Sequence, residues 1–227
     1  MRRLALCFGL VIGGTSVVQA QWVATVLKPP GYYDVTGSGI GSSGAIGVGT
    51  ASDGSPHALL WTLNSSSFVD LNPQGYSRSS GVAVAGDSQV GKGGFLDGTT
   101  VRDHALLWHG TASGAIDLHP SGWDYTVANG ASEHSQVGQG TQTGSQENRA
   151  LLWHGSAQSA IVLAPDGSPW SAAYAATDEY QVGIVEMNQN IRQAALWHGS
   201  KESYINLNPI WANESSRSEE RRVGKEC

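Results

Sequence analysis

This 227-residue chain contains histidines, whose side chains could hold a metal ion. Three of them, His109, His154 and His198, each follow directly after a tryptophan, and they recur about every 45 residues. Residues at the same position of successive repeats lie too far apart to converge on one ion, which needs its ligands about 2 Å away. The sequence therefore predicts no metal site and no bound cofactor.

Several other polar residues interrupt the repeated pattern and could carry acid–base chemistry. A hydrolase or lyase of the paired-carboxylate type needs two such groups within several ångströms of each other. The sequence brings no two of them together, so each is expected to be a solvated turn residue. It also contains no G-x-S-x-G, H-E-x-x-H, phosphate-loop or calcium-loop motif. We predict no catalytic residues and a protein that is not an enzyme. The interrupting residues are Glu133, His134, Asp178, Glu179 and Glu186.

The N-terminus has the features of an export signal. Arg2 and Arg3 precede the short apolar run LALCFGLVIGG, and small residues stand before Gln21 at the expected cleavage positions. We predict a signal peptide over residues 1–20, cleaved near Ala20, and a secreted, periplasmic or cell-surface protein. An N-terminal core strand is the alternative. No later segment is apolar enough to span a membrane.

Charge and cysteine content narrow the class of protein further. The net charge of −6 argues against a nucleic-acid partner, which would require a basic face. Cys7 lies in the predicted signal, and Cys227 is the last residue of the chain. The body between them has no cysteine, so an exported protein would be stabilised by its core without disulfides.

An internal repeat organises the body of the chain. HALLW at residues 57–61 returns as HALLWHG, RALLWHG and QAALWHG, with tryptophans at 61, 108, 153 and 197. A leucine always follows ten residues after each tryptophan, and the glycine of a QVG motif follows twenty residues after the leucine. The same rule finds an earlier copy at Leu27 and Gly47. Only the stretch from QVG to the tryptophan varies in length. The later leucines are Leu71, Leu118, Leu163 and Leu207.

Each repeat contains four short strand-like runs separated by turn residues. One run carries small residues ten and twelve positions after the leucine, as expected where backbones crowd together. Four antiparallel strands per ~45 residues predict an all-β protein, a β-propeller of four near-complete blades with the small-residue strand at the axis. A β-solenoid is the alternative. The small residues are Gly37 and Gly39, Gly81 and Ala83, Ala128 and Gly130, Ala173 and Ala175.

These motifs resemble the exported family of HAF repeats. Its units read roughly HAFLW, then a DL motif, then an A-x-x-N-x-x-GQVVG segment, and the likeness extends over residues 27–216. This chain has leucine for phenylalanine in HALLW and a single valine in QVG. The resemblance implies a bacterial exported protein of propeller-like repeats with no established activity, and it supplies no catalytic residues.

The last eleven residues, RSEERRVGKEC, break the repeat. Seven of them are charged, where the spacing rule demands a small-residue strand, and they resemble the translation of a common short-read sequencing adapter. We expect residues 21–216 to be an incomplete repeat domain and residues 217–227 a non-native tail. A genuine solvated terminus is the alternative. Such a fragment would expose unpaired blade edges and is expected to aggregate.

One aromatic residue follows each leucine by four to seven positions, beside the only loop of variable length. Aromatic planes suit sugar rings or protein hot spots, and the alternative is that these rings form core between blades. We predict a non-catalytic binding or cell-surface scaffold whose unknown partner is a glycan or a protein. A secreted carbohydrate-active enzyme is the alternative. The predicted ligand-binding residues are Tyr32, Tyr76, Trp123, Trp170 and Trp211.

Overall fold

The computed structural model describes residues 26–63, 67–187 and 191–208. The predicted export signal, Trp211 and the charged tail lie outside these ranges. The described residues form sixteen strands and no α-helix, which confirms the all-β prediction. Within these same ranges, no helix is long and apolar enough to cross a membrane.

The strands fall into four consecutive antiparallel groups, here called units 1 to 4. Unit 1 contains β1 (Tyr32–Gly41), β2 (Gly44–Ala51), β3 (Pro56–Trp61) and β4 (Phe68–Asp70). Unit 2 contains β5 (Tyr76–Ala85), β6 (Ser88–Asp97), β7 (Thr100–Trp108) and β8 (Ile116–Asp117). Unit 3 contains β9 (Trp123–Ala131), β10 (Gln136–Gln142), β11 (Asn148–Trp153) and β12 (Ile161–Val162), and unit 4 contains β13 (Trp170–Ala176), β14 (Gln181–Met187), β15 (Ile191–Trp197) and β16 (Ile205–Asn206).

Each unit is a meander in which chain order is also spatial order. Units 1 and 2 are separate four-stranded sheets. One parallel bridge between Asn148 and Trp170 joins units 3 and 4 into an eight-stranded sheet, and no sheet closes on itself within the described ranges. In units 2 to 4 a one-turn 3₁₀ helix connects the third strand to the fourth, at Ala112–Gly114, Ala157–Ser159 and Lys201–Ser203.

The hydrophobic core lies between successive units. Trp108 of unit 2 is buried against Ile46 and Leu71 of unit 1. Trp153 of unit 3 is likewise buried with Leu107 of unit 2, and Trp197 of unit 4 with Leu152 of unit 3. Alternate residues of each ALLW strand face opposite ways, so one strand supplies core to both neighbouring junctions.

The small-residue strand is the first strand of each unit, and it carries a bulge opposite QVG. In unit 3 the bulge separates Ala128, paired with Gly138, from Gly130, paired with Val137. The bulged first strands of neighbouring units are in close contact. A Cβ added to Gly130 in unit 3 would lie only 2.3 Å from the carbonyl oxygen of Tyr174 in unit 4. The predicted crowding is therefore present at Gly39, Gly81 and Gly130, whereas a Cβ at Gly37 would meet nothing within 4 Å.

Candidate binding site

The predicted aromatic residues Tyr32, Tyr76, Trp123 and Trp170 are the first residues of β1, β5, β9 and β13. The fifth predicted residue, Trp211, lies outside the described ranges. Three of the rings lie against a glycine of the second strand of their own unit: Tyr32 against Gly49, Tyr76 against Gly93 and Trp123 against Gly140. A side chain on any of these glycines would strike the ring, so the glycines make room for the aromatic residue.

The two tyrosines are half-buried and their hydroxyl groups are engaged. Tyr32 donates a hydrogen bond to Asp70 at 2.7 Å, and Tyr76 donates one to Asp117 at 2.9 Å. Burial and the adjacent carboxylate raise the pKa of each phenol well above its ordinary value. Each tyrosine therefore connects the first strand of its unit to the fourth strand through its hydroxyl hydrogen bond.

The two tryptophans occupy different surroundings. Trp123 is only 9% exposed and belongs to the core between units 2 and 3, with Leu107 and Leu151. Trp170 is half-buried, and the guanidinium of Arg192 lies 4.8 Å from the centre of its ring, a cation–π distance. The Trp123 position agrees with the packing alternative, and its role in binding a ligand stays a prediction.

Three equivalent grooves lie at the junctions between units. Each is formed by the linker entering a unit and by the segment that carries that unit's 3₁₀ turn. Their volumes are about 590 Å³ between units 1 and 2, 620 Å³ between units 2 and 3, and 450 Å³ between units 3 and 4. These volumes are in the range of small-ligand sites. The linings differ, including Gln74 and Ser113 in the first groove, Gln158 in the second, and Asp166 and Lys201 in the third, while Gln142 lines both the second and the third.

The groove between units 2 and 3 adjoins a second pocket of about 400 Å³. The two cavities share His119, Gly122 and Trp123, and together they are called the Trp123 site. The second pocket is also lined by charged and polar side chains. Arg102 forms an ion pair with Asp124, and Thr143 donates a hydrogen bond to the same carboxylate at 3.1 Å. The site thus offers many groups able to form hydrogen bonds around the edge of the largely buried Trp123.

His119 is held in one protonation state by its neighbours. One ring nitrogen, Nε2, lies 3.0 Å from the carbonyl oxygen of Trp123, which can only accept, so Nε2 carries the proton. The other, Nδ1, accepts from the Thr126 hydroxyl at 2.8 Å. Burial, together with the nearby His104, lowers the pKa of His119. A neutral imidazole therefore lies at the centre of the site.

His104 also lines the second pocket and is paired with a carboxylate. Its Nδ1 lies 2.7 Å from Asp117, and its ring stacks on His119 with centres 3.8 Å apart. Burial alone would raise the pKa of Asp117, but hydrogen bonds from His104, the His119 backbone and Tyr76 outweigh it and lower that pKa. The carboxylate thus orients the imidazole and keeps its charge.

The sequence analysis missed this His–Asp pair, although a signal was present. Only units 1 and 2 have histidine before ALLW together with aspartate thirteen residues later, at His57 and Asp70 and at His104 and Asp117. In unit 1 the pair is also formed, with His57 Nδ1 2.8 Å from Asp70. Units 3 and 4 have Arg149 and Gln193 at the histidine position instead.

The residues that interrupt the repeat fall into two groups. Glu133, His134 and Asp178 come together, with their ligand atoms all within 4.8 Å of one another. Glu186 instead lies 3.5 Å from Arg192, and Glu179 is an exposed turn residue.

The three histidines that follow tryptophans do not share a site. Each lies beside the first hairpin of its own unit: His109 is 3.9 Å from Asp87, His154 Nδ1 is 3.4 Å from the carbonyl oxygen of His134, and His198 lies against Tyr180.

No family model matches this sequence, and a search of curated proteins finds no relative. The likeness to HAF repeats therefore stays a resemblance carried by the motifs.

Proposed function

We propose that this protein is an exported, non-catalytic β-propeller that binds a glycan at the Trp123 site. The observation that carries the proposal is the pair of adjoining cavities, about 620 and 400 Å³, that share His119, Gly122 and Trp123 in their lining. A sugar presents apolar ring faces and a periphery of hydroxyl groups. The amide, hydroxyl and guanidinium groups of the lining match the hydroxyl periphery, and the partly exposed Phe95 of the second pocket is an apolar ring suited to the sugar face.

The equivalent grooves support a scaffold role. The backbone of the junction is repeated three times, while the side chains that line it change from groove to groove. Variable side chains on a constant framework are typical of binding proteins. The same proposal includes a propeller arrangement, which is supported by the four-stranded units. It also includes an export signal, supported by the N-terminal sequence, and HAF-type repeats, supported by the quoted motifs.

An oligosaccharide array tests this proposal. We expect the full chain to bind a defined set of oligosaccharides, and the exposed pair Gln142→Ala and Gln158→Ala to weaken that binding about tenfold or more. Gln74→Ala is the matched control, because Gln74 lines the equivalent groove between units 1 and 2. Binding to no oligosaccharide, or binding that the double variant leaves unchanged, would contradict the proposal.

The alternative of a carbohydrate-active enzyme is favoured by a different observation. His104, oriented by Asp117, faces the same 400 Å³ pocket as Asp97 and Asp124. A carboxylate-oriented imidazole can act as a general base, and nearby carboxylates can complete a hydrolase or lyase site. Release of new reducing ends or unsaturated products from a bound glycan, lost in His104→Gln, would establish the enzyme.

A further inference from the structure

Two neighbouring hairpin turns bring a mixed set of metal-ligating side chains together. Glu133 and His134 lie in the turn between β9 and β10, and Asp178 lies in the turn between β13 and β14. Each of the three side chains is exposed, and one ligand atom from each lies within 4.8 Å of the other two. Imidazole and carboxylate ligands lie about 2.0–2.2 Å from Zn²⁺, so the three exposed side chains must move closer together to share one ion.

The fold explains why residues so distant in sequence meet here. Glu133 and Asp178 occupy the same position of consecutive units, fifteen residues after Leu118 and Leu163. Their turns follow the first strands, which are in close contact between these units, as the short distance from Gly130 to the Tyr174 carbonyl oxygen shows. Three hydrogen bonds connect these segments: Asn129 Nδ2 to the Ala173 carbonyl at 3.0 Å, Ser135 Oγ to the Thr177 carbonyl at 3.5 Å, and the His134 backbone N–H to Asp178 at 3.2 Å. The two turns are thus held in register before any ligand arrives.

Electrostatics at this position favours a cation. Asp178 is an exposed carboxylate that accepts a hydrogen bond from the His134 backbone N–H at 3.2 Å. A second carboxylate, Glu133, lies beside it, and like charges at this distance repel. Units 1 and 2 have Ser42 and Gly86 at the same position. The paired acids therefore occur where units 3 and 4 meet, with an imidazole beside them.

We propose that Glu133, His134 and Asp178 bind a divalent first-row transition metal ion of the Zn²⁺ type. Imidazole nitrogen with carboxylate oxygen suits Zn²⁺, Ni²⁺ or Cu²⁺, whereas Ca²⁺ and Mg²⁺ prefer oxygen ligands alone. Three protein ligands and water complete a tetrahedral shell. Because the ligands come from units 3 and 4, the ion would tie these units together. This proposed site differs from the prediction of no metal site, which rested on the three histidines that follow tryptophans.

Calorimetric titration of the full chain with ZnCl₂ alone tests the proposal. We expect one Zn²⁺ per chain, bound at least about tenfold more weakly by His134→Gln and by Asp178→Asn. Glu179→Gln is the matched control, because it removes an exposed carboxylate from the same turn outside the set. It should bind Zn²⁺ as the wild type does.

Thermal unfolding gives an independent readout of the same site. Zn²⁺ should raise the melting temperature of the wild type and of Glu179→Gln, and should raise that of the His134 and Asp178 variants clearly less at the same Zn²⁺ concentration. All substitutions are at exposed side chains, so the metal-free variants should melt with the wild type. No Zn²⁺ uptake by the wild type, or uptake that survives both ligand substitutions, would overturn the proposal.

Discussion

A side-chain hydroxyl joins each unit to the one before it. Ser79, Thr126 and Ser171 stand eight residues after the leucine of the preceding repeat, and each accepts a hydrogen bond from a backbone N–H in the third strand of the preceding unit. The donors are Ala58, Ala105 and Ala150, at 3.0, 2.9 and 2.9 Å. All three hydroxyl residues are buried, so no water can replace them.

The Thr126 hydroxyl has the largest role of the three, because it also donates to His119. Replacing Thr126 with valine keeps the shape and leaves the buried Ala105 N–H without a partner. We expect a loss of about 1–3 kcal/mol in the free energy of unfolding, measured by denaturant titration. Thr100→Val, at an exposed strand end, should change it by less than about 0.5 kcal/mol. An unchanged stability for Thr126→Val would show that the inter-unit bond is dispensable.

His119 should make stability depend on pH in a defined window. Its folded-state pKa lies below the ordinary value of 6.5, so the unfolded chain binds the proton more readily. The contribution is fully present above pH 6.5 and is lost as the pH falls through the folded-state pKa. The melting temperature should therefore fall less steeply over this range in His119→Gln than in wild type. His109→Gln, at an exposed turn, should keep the wild-type slope, and identical slopes in all three proteins would contradict this assignment.

At the scale of elements, the QVG glycine lies directly against the bulged part of the first strand, and each depends on the other. A Cβ on Gly138 would lie 1.9 Å from the carbonyl oxygen of Val127, and Gly47, Gly91 and Gly183 are equally crowded by the bulged strand. No side chain fits against that backbone atom. The repeated glycine is therefore required by the bulge, which turns the carbonyl over the second strand.

Gly138→Ala should force the first two strands of unit 3 apart. We expect it to destabilise the protein by at least about 2 kcal/mol, since the clash is with backbone that cannot move aside. Gly37→Ala is the control, because a Cβ at Gly37 meets nothing within 4 Å. Chemical denaturation of both variants measures the difference, and equal stabilities would refute the role given to the bulge.

Much of this architecture could be predicted from sequence because it is periodic. The strand-like runs predict four strands per repeat, and the small residues predict close backbone contact, as found at Gly130; the bulge opposite Gly138 is not predictable from them. The Tyr32 and Tyr76 hydroxyl contacts to the fourth strand could not be predicted. They depend on how a side chain crosses a sheet, and local pattern carries no such information. The same is true of the Trp170 contact with Arg192.

The candidate sites were predicted less completely, for a related reason. Trp123 was singled out from its position in the repeat, yet its neighbours His119 and Gln158 come from different segments of two units. Glu133 and Asp178 were noticed as departures from the repeat. Their meeting depends on the close approach of the first hairpins of neighbouring units, which spacing along the chain does not report.

At the scale of the whole molecule, unit 4 presents an apolar face among the residues that the structure describes. Val182 is 41% exposed and Leu207 is 49% exposed, whereas their counterparts Val137 and Leu163 in unit 3 are fully buried by the next unit. Ile205 on the fourth strand is 54% exposed. Contiguous apolar surface of this kind promotes association.

We therefore expect the full chain to self-associate as its concentration rises, which multi-angle light scattering measures. The double variant Val182→Lys and Ile205→Lys should shift it towards monomer, because charge on the face opposes burial. Leu96→Lys, on the exposed hairpin of unit 2, is the matched control and should not. A wild type that stays monomeric throughout would mean that this face is not adhesive.

The measurement that tests the proposed binding function most directly is hydrogen–deuterium exchange of the full chain, with and without the oligosaccharide that binds best on the array. A glycan in the Trp123 site should slow exchange in the linker at residues 119–123 and around the 3₁₀ turn Ala157–Ser159. The equivalent segments at residues 72–76 and Ala112–Gly114 should be unaffected. Protection confined to other segments, or no protection with any oligosaccharide, would contradict the assignment of this junction as the binding site.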